Sequence, residues 1–188
     1  MAVERYIIDP DMSRFTVRAS ASGMLSAFGH SPTIAIRDFS GDADFAPETL
    51  ENAALHLTIP AASLAVTDDI SEKDRREMER TMKQDVLDVA RYPEIAFDSS
   101  NVSASRAGDG QYWVNLVGNL SLRGVTSSQS ISIQVTLMNG TLRAHGEFSL
   151  RQSAYGIKPV SVAGGALKLK DELKFSFDIL ARKQADNK

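Results

Sequence analysis

Three histidines, His30, His56 and His145, are the side chains best suited to acid–base or metal chemistry near neutral pH. A zinc site needs three or four converging ligands, usually with a close pair two or four residues apart, and these three are far apart in the chain. His56 and His145 fall at polar-face positions of expected strands and read as surface residues. His30, in Phe28-Gly29-His30-Ser31-Pro32, lies in an expected turn, where it could hydrogen-bond backbone or face a cavity mouth. With no cysteine there is no thiol nucleophile, zinc–thiolate site, iron–sulfur cluster or disulfide framework. No Gly-x-Ser-x-Gly elbow, phosphate-binding loop or dinucleotide fingerprint occurs. Asp68-Asp69 precedes an expected helix, where its dipole favours carboxylates. Gly164-Gly165 lacks a strand-then-helix context and reads as a turn or bulge.

The elements that must position these residues are mostly strands. Ile131, Ile133, Val135 and Leu137 alternate with Ser132, Gln134 and Thr136. Leu173, Phe175, Phe177 and Ile179 alternate with Lys174, Ser176 and Asp178. The same period of two runs through Leu142–Leu150, Leu55–Ile59 and Tyr112–Leu122, with Gly118 in the apolar row. Each run buries one face and wets the other, the pattern of antiparallel sheets. Further strands are expected near Tyr6–Ile8, Arg14–Ala19, Thr33–Phe45 and Ile95–Val102, about eight to ten in all. Asn139-Gly140 is a strong hairpin signal, Gly108-Asp109-Gly110 a second turn, and Lys170-Asp171-Glu172 a weaker one before the last strand. The fold class is all-β. An extended antiparallel barrel of about eight strands is expected, with a two-sheet sandwich as the alternative.

One segment departs from this pattern. Between Ser71 and Arg91, Met78, Met82, Val86 and Val89 recur at helical spacing. Ser71 and Asp74 approximate a capping box, and Tyr92-Pro93 is the expected stop. The Met/Val stripe must press on an apolar surface, most simply a barrel mouth or flank; methionine also suits an adaptable apolar lid.

Of the 188 residues, 43% are hydrophobic, enough for one domain with a real core, expected over residues 1–180 with a polar tail over 181–188. The net charge of −3 argues against a nucleic-acid footprint. No apolar run approaches the roughly 20 residues of a membrane span. No signal peptide is visible, so the expected location is cytoplasmic, or periplasmic for a processed form.

The order of motifs resembles the YceI-like family of lipocalin-like, polyisoprenoid-binding proteins. The matching stretches are Tyr6-Ile7-Ile8-Asp9-Pro10, Phe39-Ser40-Gly41 with the acidic Asp42-Ala43-Asp44, and the helix running into Arg91-Tyr92-Pro93-Glu94-Ile95-Ala96-Phe97-Asp98-Ser99. Gly118-Asn119-Leu120-Ser121-Leu122-Arg123-Gly124-Val125-Thr126 and Phe148-Ser149-Leu150-Arg151 leading to Tyr155-Gly156-Ile157 follow. The helix has Asp74-Arg75-Arg76 and no His, and the early strand has Met12-Ser13, where the family usually has histidines; this places the chain in a divergent branch.

The resemblance implies a barrel with a helix against it and an apolar interior holding an isoprenoid chain, such as a polyprenyl lipid or a quinone tail. It implies non-enzymatic binding, transport or sequestration, with no cofactor. Apolar residues would line the pocket: Phe15, Val17, Phe28, Leu57, Met78, Met82, Val86, Phe97, Leu116, Leu120, Phe148, Phe175 and Phe177. Two alternatives remain at this stage. One is an enzyme acting on an apolar substrate, with His30 and Arg151 or Tyr155 as acid–base candidates. The other is a structural or interaction module whose barrel is filled by side chains. A homodimer is possible under any of these readings, through exposed strands or the helix flank.

Overall fold

The computed structural model describes residues 2–23, 31–50 and 53–185. The strands are β1 (Glu4–Ser22), β2 (Thr33–Ile36), β3 (Ser40–Phe45), β4 (Ala54–Pro60), β5 (Leu64–Val66), β6 (Glu94–Gly108), β7 (Gln111–Leu122), β8 (Val125–Met138), β9 (Thr141–Arg151), β10 (Ser161–Val162) and β11 (Leu167–Lys183). Eight of them run in the order β1-β3-β4-β6-β7-β8-β9-β11, and β11 pairs back to β1 to close an antiparallel barrel. Closure removes the free edges that a long hydrophobic sheet would otherwise expose. β2 and β5 flank the far half of β1, and β10 sits beside β11.

The inward rows are those of the alternation. Leu116 pairs with Ile131, Val114 with Ile133 and Phe148 with Phe175, each pair on the interior face. Asn139 (φ 51°) and Gly140 (φ 71°) make the two-residue turn between β8 and β9. Both central residues of such a turn need positive φ. The β7–β8 turn has the same form, with Arg123 at φ 52° and Gly124 at φ 74°. The sequence marked it only by its glycine, because arginine carries no turn preference.

Several expected boundaries shift. Tyr6–Ile8 and Arg14–Ala19 belong to one strand, whose pairing to β11 slips between Asp9 and Arg14. Pro10 has no N–H to give the ladder. Ser13 Oγ staples the break, donating to the Asp9 carbonyl at 2.6 Å and accepting from Leu180 N–H at 2.9 Å. Conversely, Thr33–Phe45 is two strands, separated at residues 37–39 with Phe39 buried in the core. Lys170-Asp171-Glu172 is not a turn but lies inside β11; the reversal falls at Gly164 (φ 65°) and Gly165 (φ 92°). Asp171 instead accepts from Ser153 N–H at 2.8 Å and Oγ at 2.6 Å. β11 extends through Lys183 and buries Ala181, so the polar tail begins later than residue 181.

The helix α1 (Glu72–Thr81) starts where the cap places it: Ser71 Oγ accepts from Asp74 N–H at 3.1 Å. A five-residue π-helical turn, Met82–Val86, continues it. The helix ends there rather than at Tyr92-Pro93, because Asp88 adopts φ 50°. Glu79 Oε1 accepts from Val66 N–H at 2.9 Å and ties the helix to the edge of β5.

Candidate functional site

The barrel is hollow, not filled by side chains. Its interior is a cavity of about 720 Å³. At one end, Phe45 and the buried Leu50 close it, Tyr6 stacks on Phe45 at 4.8 Å, and Tyr112 Oη donates to the Pro47 and Glu48 carbonyls at 3.3 Å. The helix covers the other end, where β6, β8 and β11 begin.

Each sequence-selected lining residue within the described chain faces this cavity. Phe15 and Val17 reach it from β1, Leu57 from β4 and Phe97 from β6. Leu116 and Leu120 come from β7, Phe148 from β9, and Phe175 and Phe177 from β11. Met78, Met82 and Val86 supply the helical stripe over the mouth. Phe28 and His30 lie outside the described residues. The barrel strands contribute an aromatic belt: Phe148 stacks on Phe175 at 4.6 Å, and Phe15 meets Phe177 edge-on at 5.8 Å. Rings held by one another in this way stay on the wall and leave the lumen open.

The glycines of the inward rows are places where the wall comes close. A Cβ on Gly118 would lie 2.4 Å from Phe97 Cζ and 2.5 Å from the Asp98 carbonyl oxygen. The Phe97 ring therefore lies over Gly118, which takes no side chain of its own.

Polar lining is sparse. Asp74, Glu77 and Thr81 come from the helix, Lys168 from β11, Gln129 from β8 and Gln152 from the turn after β9. Gln129 Nε2 donates to Tyr155 Oη at 2.7 Å, and Gln152 Nε2 to the Lys170 carbonyl at 3.0 Å. Burial pushes the Tyr155 phenol above its ordinary pKa, while hydrogen bonds from Gln129 and Ser127 pull the other way. The two glutamines were not among the selected residues. Gln129 has the same parity as Ile131, Ile133 and Val135, so a polar residue in an apolar row was the available signal.

The remaining candidates are elsewhere. His56 Nδ1 pairs with Asp98 Oδ1 at 2.5 Å and Nε2 with Thr58 Oγ1 at 3.2 Å, all exposed on the outer face. The Asp98 partner comes from the β4–β6 register and was invisible in sequence spacing. His145 pairs with Gln134, also exposed. Among the described residues no group of three metal-ligating side chains occurs. Asp68 accepts from Thr33 N–H at 2.8 Å and anchors β2 to the segment before the helix. Arg151 is exposed and Tyr155 is fully buried. No helix of the described chain is long and apolar enough to cross a membrane.

Comparison with known proteins agrees with this architecture. A family model described as the YceI-like domain matches residues 6–181. A search of the curated proteins finds no match. Among solved structures, BcnA of Burkholderia cenocepacia aligns at TM-score 0.67 and 19% identity, over 92% of this chain and 98% of that one. A polyisoprenoid binding domain from Saccharophagus degradans, implicated in plant cell wall breakdown, aligns at TM-score 0.68 and 14% identity, over 95% and 98%. A Campylobacter jejuni YCEI protein aligns at TM-score 0.60 and 14% identity, over 81% and 85%. At these identities the structural likeness speaks for the fold alone.

Proposed function

The chain belongs to the YceI-like family, and from that premise we propose that it binds the isoprenoid chain of a lipid, a polyprenyl compound or an isoprenoid quinone, and carries or sequesters it without chemical conversion. The observation that carries this reading is the 720 Å³ lumen, walled by apolar side chains from the barrel strands and the helix. That size lies within the roughly 300–1,000 Å³ of ligand pockets. The polyisoprenoid-binding domain among the solved relatives has the same fold.

The physics favours a long apolar guest. Each buried carbon contributes about 0.8 kcal/mol, so a five-carbon isoprene unit contributes about 4 kcal/mol before association costs. A branched chain also matches a wall of aromatic and β-branched side chains, which offers dispersion contacts and few hydrogen bonds. Binding of this kind needs no nucleophile and no general base.

Native mass spectrometry of the purified protein, followed by organic extraction and identification of what is released, tests the proposal. A co-purifying isoprenoid near one per chain is the expected result. Protein that carries no such lipid and takes up none from added isoprenoids would overturn it.

A further inference from the structure

The lumen is apolar except toward the helix-covered end, where two amides face it. Gln152 is only 3% exposed, yet lines the cavity. Its Nε2 donates to the Lys170 carbonyl at 3.0 Å, and its Oε1 takes no hydrogen bond among the described residues. An amide oxygen without a protein donor can accept one from a guest. Gln129 donates to Tyr155 Oη at 2.7 Å, and Tyr155 is 1% exposed. A hydroxyl both gives and accepts, so either end of the Gln129 amide can hold Tyr155 while the other faces the lumen. The turn that carries Gln152 ends at Tyr155, which brings the two amides to one wall.

We propose that Gln129 and Gln152 form a headgroup subsite for an uncharged, hydroxyl-bearing terminus, such as that of an isoprenoid alcohol or a quinol. The proposal rests on the reading of the barrel as an isoprenoid carrier. A hydroxyl supplies the donor that Gln152 Oε1 lacks and an acceptor for the Gln129 NH₂. A quinone carbonyl only accepts, so it can satisfy Gln129 and leaves Gln152 Oε1 bare. A diphosphate fares worst. Among the described residues, the ionisable groups that line the cavity are Asp74 and Glu77 on the helix and Lys168 on β11, two carboxylates against one ammonium. Desolvating a polyanion there without paired cations is unfavourable.

The test uses the delipidated full chain titrated calorimetrically with geranylgeraniol, its methyl ether and geranylgeranyl diphosphate. The alcohol should bind about tenfold tighter than the ether, the worth of roughly one net hydrogen bond, with the diphosphate weakest. Gln152→Leu should abolish the preference for alcohol over ether. Gln129→Leu, which spares the bond to Lys170, should weaken alcohol and ether alike, since both oxygens accept from its NH₂; if the first variant fails to fold, the alcohol–ether comparison on the unaltered protein decides. Equal binding of alcohol and ether to the unaltered protein, or tightest binding of the diphosphate, overturns the subsite and leaves the carrier reading standing. Binding of none of the three overturns both.

Discussion

Gly118→Ala sets two effects of opposite sign against each other. Gly118 is not among the residues with positive φ, so its backbone suits alanine. On propensity alone the change should stabilise the fold by about 0.4–1 kcal/mol, through the unfolded chain's lost freedom. Against this, the new Cβ would lie 2.4 Å from Phe97 Cζ, 2.8 Å from Cε2 and 2.5 Å from the Asp98 carbonyl oxygen. The ring can swing into the lumen, but the carbonyl is backbone of β6 and moves only if β6 and β7 part. Overpacking of this kind costs about 1–3 kcal/mol, so the net expectation is a loss of about 1–2 kcal/mol. For a chain of this size that lowers Tm by roughly 2–8 °C. Thermal unfolding followed by circular dichroism reads it directly. Adding Phe97→Leu to Gly118→Ala should recover part of the loss but not all, since the carbonyl contact remains; the coupling energy of the double-mutant cycle isolates the ring's share. An unchanged or raised Tm in Gly118→Ala would show that propensity governs and would refute the close approach of the two strands.

Other perturbations probe the helix, the buried phenol and the mouth. Ser71→Ala removes the N-cap acceptor of Asp74 N–H and should weaken the helix by about 1 kcal/mol; hydrogen exchange should quicken at helix amides and not in the barrel strands. Tyr155→Phe leaves Gln129 without its partner and should cost about 1–2 kcal/mol, seen as a lower urea midpoint at constant m. Because burial raises the phenol pKa in the folded protein, Tyr155 keeps its proton at pH values where the unfolded chain has lost it. Its contribution is complete below the unfolded value near 10 and fades as pH rises through the higher folded value. Stability should therefore decline in alkali, and less steeply in Tyr155→Phe. Tyr6, raised mainly by burial and next by Glu4, adds to the same decline. Replacing Met78 and Met82 together by Gln should lower isoprenoid retention by about tenfold or more, as two apolar surfaces over the mouth become polar, while the lipid-free Tm moves by no more than a few degrees.

Much of the barrel was legible in the sequence because its signals are local. Period-two rows, a two-residue Asn-Gly turn and a Ser71 cap each report on neighbours a few positions apart. The lining residues, such as Leu116, Phe148 and Phe175, came from the family resemblance, because alternation alone does not fix which parity faces inward; the fold turns these toward the cavity. A closed barrel was expected, but which strands close it was not legible, because the β1–β11 pairing joins residues such as Tyr6 and Lys183 at opposite ends of the chain. Nor was the merging of two apparent strands across Pro10, which depends on Ser13 bridging to Leu180. The polar spot went unread for a different reason. A lone Gln in a strand is common, and only the fold brings Gln129 to Tyr155.

A hollow core raises its own question of energy. Cavities made by trimming core side chains cost about 24 cal/mol per Å³. Scaled to the 720 Å³ of the lumen, that rate gives ~17 kcal/mol, more than the whole stability of an ordinary domain, about 5–15 kcal/mol. The rate cannot apply unchanged, because it describes walls deprived of contacts they were built to make. Here the wall contacts itself. Ladder hydrogen bonds run round the closed barrel, rings such as Phe148 and Phe175 stack along the wall, and Phe97 rests on Gly118 rather than on a facing side chain. The lumen is thus a space the wall does not need filled in order to stand. Filling it by a ligand adds stability through binding, by RT ln(1 + [L]/Kd), instead of supplying a missing piece of the fold.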